Sequence, residues 1–155
     1  MSVDEITLLT YRFDAVLDWW AALLDTSPEV LGPRSAALTA PGLRVTVTRS
    51  DIAMDAHPEV AGVTAVTLNL AGTSAARAAL RRLASVGANC HRATTDAHGV
   101  RLWFLDPDRS NVALRLPADF VVSGAHDGEV DPDEPLRMLT EANGDERGIH
   151  SLTTD

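Results

Sequence analysis

The hydrophobic and polar residues of this chain change period several times, and the same order of changes occurs twice. Residues 5–13 (EITLLTYRF) alternate as a strand does, and residues 15–24 place apolar side chains at helical spacing behind Asp14, which can cap a helix. Residues 35–39 and 43–49 indicate strands on either side of a turn at Pro41 and Gly42. The first half therefore predicts a strand, a helix and about three further strands.

The second half repeats this order about 60 residues later. Alternation over residues 63–71 predicts a strand, and an apolar stripe over residues 75–86 predicts a helix that Gly87 ends. Three more strands are predicted over 88–94, 100–105 and 111–116, with turns at 96–99 and 106–109. We therefore expect an α+β domain over residues 1–117, built from two βαβββ units at about 5–60 and 62–117.

The charge of the chain is concentrated at its C-terminal end. The formal net charge is −9, yet residues 1–117 carry 11 Arg and 12 acidic residues, whereas residues 118–155 carry 2 Arg and 10 acidic residues. Because Lys is absent and no basic stripe exists, binding to nucleic acid is not expected. Residues 118–155 are expected to form an acidic extension that is partly disordered or contains a short docking helix over 135–142.

The sequence gives no sign of a membrane anchor or a secretory signal. No apolar run reaches the roughly 18 to 20 residues that cross a bilayer, and the first residues lack the basic and apolar regions of a signal peptide. The single cysteine, Cys90, excludes an internal disulfide and is expected to be a packing residue in a strand. We therefore expect a cytoplasmic protein without membrane contact.

Two motifs carry a resemblance to a known superfamily. Residues 104–108 (FLDPD) resemble the F-x-D-P-D-G-N segment that joins the last two strands of vicinal-oxygen-chelate proteins, and residues 19–24 (WWAALL) resemble the F-Y-x-x-x-L-G of their first helix. With the repeated order of elements, residues 5–117 are similar to this superfamily of glyoxalases, bleomycin-resistance proteins and dioxygenases. Arg109 and Ser110 replace the usual Gly-Asn, so the turn is expected to differ. The resemblance implies two curved mixed sheets around a cleft.

The resemblance also implies where metal ligands would lie, on the first, fourth, fifth and eighth strands. Position by position, these sites fall at Glu5, at Thr46 or Thr48, at Ala65 and at Ala113. Methyl groups donate no lone pair, so a divalent ion lacks the three or four ligands that it needs. We therefore expect no metal and no cofactor, and no metal-dependent reaction of this superfamily.

Alternation along the strands predicts the lining of the cleft. Its flat faces and its hydroxyl, amide and guanidinium groups suit a small, partly aromatic molecule with a few polar or anionic groups. An equal alternative places Arg101 and Arg115 at a solvated rim or pairs them with Glu5 and aspartates. The predicted ligand-binding residues are Thr7, Leu9, Tyr11, Arg44, Thr46, Thr67, Asn69, Arg101, Trp103, Leu105 and Arg115.

Three side chains are candidates for proton transfer. Glu5 and Tyr11 lie on the predicted first strand, and His91 follows Cys90 on the predicted sixth strand, where one of the two must face inward. On the first helix, Trp19 and Trp20 are not expected to point inward together; one is expected in the core and the other over a sheet or a subunit interface.

Three functions fit these features. The first is a metal-independent, bleomycin-resistance-like homodimer that sequesters a small, partly aromatic or hydrophobic molecule. The second is a metal-independent isomerase, cyclase or lyase of secondary metabolism, and the third is a non-catalytic interaction domain. Ligand binding without turnover would indicate the first, turnover that survives chelation the second, and a pocket filled by its own side chains the third.

Overall fold

A computed structural model describes residues 5–55, 65–120, 122 and 128–141. The first unit comprises β1 (Glu5–Thr10), α1 (Phe13–Leu24), β2 (Glu29–Gly32), β3 (Ser35–Ala40) and β4 (Leu43–Arg49). The second comprises β5 (Ala65–Asn69), α2 (Thr73–Ser85), β6 (Arg92–Asp96), β7 (Gly99–Leu105) and β8 (Asn111–Arg115), and is followed by β9 (Gly128–Val130) and α3 (Asp133–Glu141). The predicted α+β class with two βαβββ units is confirmed. Among the described residues, no helix is long and apolar enough to span a membrane.

The two sheets have the same connectivity. In the first sheet the strand order is β1-β4-β3-β2, and β1 runs parallel to β4 while the other neighbours are antiparallel. In the second sheet the order is β5-β8-β7-β6-β9, and β5 runs parallel to β8. Part of the predicted acidic extension thus adds a strand, because β9 pairs with β6. The equivalent strands β1 and β5 lie at the edges of their sheets.

A shared hydrophobic core lies on the helix-facing sides of the two sheets. Alternate strand residues point into it, such as Val45 and Val47 from β4 and Leu102 and Phe104 from β7, all of which are buried. Helix α1 contacts α2, so the two units pack through their helices. The core residues from these helices are Val16, Trp19, Trp20, Leu23, Ala76, Ala79 and Leu83.

Arg82 of α2 fastens the end of α1. The N–H of Asp25, which has a φ of 56°, donates to the carbonyl of Ala21 and closes α1. The guanidinium of Arg82 then donates to the next two carbonyls, from Nε to Ala22 at 2.7 Å and from Nη2 to Leu23 at 3.4 Å. A cation from one unit therefore satisfies the C-terminal carbonyls of a helix in the other.

Several predicted boundaries were wrong. Helix α1 begins at Phe13 without a side-chain cap, so Asp14 lies in its first turn and pairs with Arg49 at 3.3 Å. Strand β1 ends at Thr10, so Tyr11 lies beyond it. Strand β6 begins at Arg92 instead of residue 88, because residues 86–88 are still used to close α2, with hydrogen bonds to Leu83 and Ala84.

The prediction that Trp19 and Trp20 do not point inward together was also wrong. Both Trp19 and Trp20 are buried, and their rings meet edge to face with centroids 5.4 Å apart. Helix α1 contacts α2 as well as β3 and β4, so it buries a wider stripe than one sheet alone would cover.

Candidate ligand-binding cleft

A cavity opens where the edge strands of the two sheets come together. Its volume is about 640 Å³, which is within the usual range for small-molecule sites. Residues from the start of β1, the start of β4 and the whole of β5 line it. They are Glu5, Ile6, Gly42, Leu43, Ala65, Val66, Thr67, Leu68 and Asn69. The structure therefore places three predicted site residues, Glu5, Thr67 and Asn69, at one cavity.

The carboxylate at the mouth of this cavity is that of Glu5. The hydroxyl of Thr46 donates to Glu5 Oε1 at 2.7 Å, and Arg44 Nε lies 3.9 Å from the same oxygen. Arg44 also reaches Glu29 at 3.8 Å. These three predicted residues, Glu5, Arg44 and Thr46, form one polar network across β1 and β4, and this network orients the Glu5 carboxylate.

The positions that correspond to metal ligands in the superfamily do not fit a divalent ion. Ala65 lines the cavity and Ala113 is fully buried, so both contribute only methyl groups. Thr46 uses its hydroxyl proton on Glu5, which leaves one carboxylate as the strong donor. Within residues 5–55, 65–120 and 128–141, no three His, Cys, Asp or Glu side chains group together as a metal site would require.

Trp103 lies on the cleft-facing side of the second sheet, opposite Ala113 of β8 and Arg92 of β6. Its indole Nε1 donates to the hydroxyl of Thr94 at 2.8 Å. The guanidinium carbons of Arg92 and Arg101 lie 5.8 and 5.5 Å from the ring centroid. The ring is therefore held at its polar edge and flanked by two cations.

Arg101 and Arg115 lie beside Trp103 on the same face. They are direct partners across the β7–β8 ladder, and Arg101 forms a close ion pair with Asp96. The Nε atoms of both arginines are buried and have no hydrogen-bond partner in the described part of the chain. The pKa of Asp96 is lowered, first by the backbone N–H of His98 and then, against a desolvation that raises it, by the charges of Arg101, His98 and Arg115.

Two of the three proton-transfer candidates lie elsewhere. Tyr11 donates its hydroxyl to Asp55 at 2.8 Å, and this hydrogen bond is the main reason that its pKa is raised. His91 precedes β6 instead of lying in it, its side chain is exposed, and its backbone N–H donates to the carbonyl of Trp103. Neither is among the described residues that line the cavity. Both predictions rested on strand alternation, which does not apply to residues outside a strand.

Other predicted lining residues remain exposed. Thr7 faces the same side as Thr46, its partner in the β1–β4 register. Leu9 is 64% exposed and Leu105 is 38% exposed, which is high for leucines on a sheet face. These positions on the cleft-facing sides are thus uncovered in the single chain.

The side chains on β6 that face the cleft were missed from the sequence. Arg92, Thr94 and Asp96 alternate within RATTD and point to the same side as Trp103 and Arg101, their partners on β7. That alternation was the available signal, but the strand was placed four residues too early.

The FLDPD segment fastens the second unit to the end of β1. The carboxylate of Asp106 accepts the N–H groups of Asp108 and Ser110 at 3.0 and 2.8 Å, and Arg12 donates to the carbonyl of Pro107. Burial raises the pKa of Asp106, and burial also raises the pKa of Asp108 against the opposing hydrogen bond from Thr10. This motif is therefore a structural contact between the units.

Solved structures share this arrangement. The chain is similar to a glyoxylase/bleomycin resistance protein/dioxygenase domain from Frankia sp. EAN1pec, with a TM-score of 0.62 and 19% identity over 75% of this chain and 97% of that one. For a glyoxalase/bleomycin resistance protein from Catenulispora acidiphila, the TM-score is 0.54 and the identity is 22%, over 76% of this chain and 99% of that one. For lactoylglutathione lyase from Agrobacterium tumefaciens, the TM-score is 0.57 and the identity is 8%, over 78% of this chain and 97% of that one.

These likenesses establish the fold. Nearly the whole of each neighbour is covered, so the predicted resemblance to vicinal-oxygen-chelate proteins is confirmed for the fold of this chain. No protein-family model matches the chain. A search of curated proteins also gives no match.

Proposed function

We propose that this chain, which has the glyoxalase/bleomycin-resistance fold, is a metal-independent member of the vicinal-oxygen-chelate superfamily that binds and sequesters a small, partly aromatic or hydrophobic molecule. The observation that carries this proposal is the cavity of about 640 Å³, whose lining combines apolar and polar groups and includes Glu5 and Ala65, two of the positions where the superfamily would place metal ligands. Shape, stacking and hydrogen bonds then hold the ligand, and Trp103 offers a fixed aromatic face nearby.

We propose that the protein works as a cytoplasmic homodimer. Two leucines on the cleft-facing side are exposed in the single chain, Leu9 at 64% and Leu105 at 38%. Surfaces of this kind favour a protein partner, and a second copy would also enclose the ligand. The single Cys90 is compatible with a reducing compartment.

Calorimetric titration with 2-naphthamide, a neutral aromatic probe, tests the proposal. We expect saturable binding that EDTA leaves unchanged. Ala65→Trp places a large side chain in the cavity, and we expect it to weaken binding at least about tenfold, or ~1.4 kcal/mol. Ala84→Trp, on the exposed side of α2, is the matched control and should leave binding unchanged. Equal affinity in both variants would place the probe outside this cavity.

A metal-independent enzyme is the second candidate, and one observation favours it. Glu5 lines the cavity and is oriented by Thr46 at 2.7 Å, as a general base would need to be. A Glu5→Gln variant that binds the same molecule but no longer converts it would support this reading. The third candidate, an interaction domain with a pocket filled by its own side chains, is not favoured by an open cavity.

A further inference from the structure

The second sheet carries two arginines in an arrangement that is unfavourable without a ligand. Arg101 and Arg115 face each other directly across the β7–β8 ladder, where opposite Cβ atoms are about 5 Å apart. Like charges at this spacing destabilise a sheet. The neighbouring pairs in the same ladder, Trp103 with Ala113 and Leu102 with Leu114, have no such conflict.

Acidic side chains near these arginines neutralise only part of their charge. Elsewhere on the cleft-facing sides, Arg92 is paired with Glu129 at 2.9 Å, and Arg44 lies near both Glu5 and Glu29. Arg101 instead pairs with Asp96, and Arg115 affects the same carboxyl only through its charge, which helps to lower the pKa of Asp96. Among the residues that the structure describes, one negative charge thus faces two positive charges, although the whole chain has a formal net charge of −9.

The two arginines also keep unused hydrogen-bond donors. Nε of Arg101 and Nε of Arg115 are both buried without a partner in the described part of the chain. A buried donor without a partner destabilises the folded chain. Arg101 is restrained by Asp96 and by the Trp103 ring. Arg115 has no ion pair in the described ranges, so its guanidinium is available to a ligand.

The position of Arg115 connects this pair to the cavity. Across the parallel β5–β8 ladder, Arg115 is the partner of Asn69, and Ala113 is the partner of Thr67. Both Asn69 and Thr67 line the cavity. Arg115 therefore lies directly beside a residue that lines the cavity, on the same face of the sheet.

From these observations we propose that Arg115, supported by Arg101, binds the carboxylate of the ligand, so that the natural ligand class is an aromatic carboxylate. A planar guanidinium matches a carboxylate with two parallel hydrogen bonds, and a partly buried site strengthens both. With the carboxylate at Arg115, the aromatic part of the ligand extends into the cavity beside Asn69 and Thr67. This inference rests on the proposed function, because it assigns the polar end of the same site.

The test compares 2-naphthoate with 2-naphthamide, which has the same shape but no charge, by calorimetric titration of the full chain. In the parent protein we expect 2-naphthoate to bind at least about tenfold more tightly. In Arg115→Gln this preference should disappear, with affinity for 2-naphthoate lower by about 10- to 100-fold and affinity for 2-naphthamide within about twofold of the parent. Arg81→Gln, on the exposed side of α2, is the control and should change neither affinity.

Two further measurements keep the result interpretable. Arg115→Lys keeps the charge but loses the planar fork, so we expect an intermediate loss for 2-naphthoate. Thermal unfolding without ligand should show that Arg115→Gln is at least as stable as the parent, because a like-charge contact is removed. A clearly lower melting temperature would give Arg115 a structural role and overturn the inference.

The two levels of the proposal fail in different ways. Equal affinity of the parent protein for both probes would overturn the carboxylate subsite and leave the proposed function standing. No binding of either probe would overturn both.

Discussion

The contact of Arg82 with the end of α1 gives a quantitative prediction for how the two units are held together. Replacement of Arg82 by Met removes the donors to Ala22 and Leu23 but keeps an unbranched apolar side chain of similar reach. The bond at 2.7 Å comes from a charged donor and is expected to contribute about 1.5 to 3 kcal/mol. The bond at 3.4 Å adds little, and the exposed pair with Asp25 adds between about 0 and 1 kcal/mol.

We therefore expect Arg82→Met to lower the free energy of unfolding by about 2 kcal/mol, which corresponds to a fall in melting temperature of about 4 to 8 °C for a chain of this size. Arg81 is the matched control, because it is the preceding residue of the same helix and its side chain is exposed. Arg81→Met should stay within about 0.5 kcal/mol of the parent protein.

Urea unfolding followed by circular dichroism measures both variants. Equal, small changes in the free energy of unfolding of the two variants would show that Arg82 does not hold α1 and α2 together, and would contradict this account of how the two units pack. A large decrease in the free energy of unfolding for Arg82→Met alone supports it.

Three further predictions concern single side chains. Because burial raises the pKa of Asp108, its ionised form opposes folding, and this destabilisation grows as pH rises through the folded-state pKa. The melting temperature of Asp108→Asn should therefore exceed that of the parent protein by more at about pH 7 than at about pH 4. An equal difference at both pH values would count against this prediction. Arg109 has a φ of 66°, so Arg109→Gly should raise the free energy of unfolding by about 0.5 to 1 kcal/mol in urea titrations, whereas a loss would contradict the strain. Burial also raises the pKa of Cys90, so its reaction with a disulfide reagent near neutral pH should be slower in the folded chain than in urea; equal rates would refute this.

The sequence predicted the elements that depend on local periodicity. Strand β4 has the predicted bounds of 43–49, and Gly87 ends α2 with a φ of 75°. The sequence also predicted that Leu102 and Phe104 face the opposite side of β7 from Arg101 and Trp103, because each strand has one buried face.

Features that depend on contacts between distant residues were not predictable in this way. The hydrogen bond from Tyr11 to Asp55 joins residues that are 44 positions apart. To predict that Trp19 and Trp20 are both buried, one would have to know that α1 packs on α2 as well as on its own sheet. The pairing of Arg101 with Asp96 depended on the correct start of β6, which local pattern placed too early.

A crystal structure from crystals grown with 2-naphthoate and Zn²⁺ together, with data collected at the zinc absorption edge, most directly tests whether the cavity binds its ligand without a metal ion. We predict electron density for the aromatic ring beside Thr67 and Asn69, and no anomalous peak among Glu5, Thr46 and Ala113. An anomalous peak with Glu5 as a ligand of the zinc ion, next to an empty cavity, would contradict the proposal that this site binds its ligand without a metal ion.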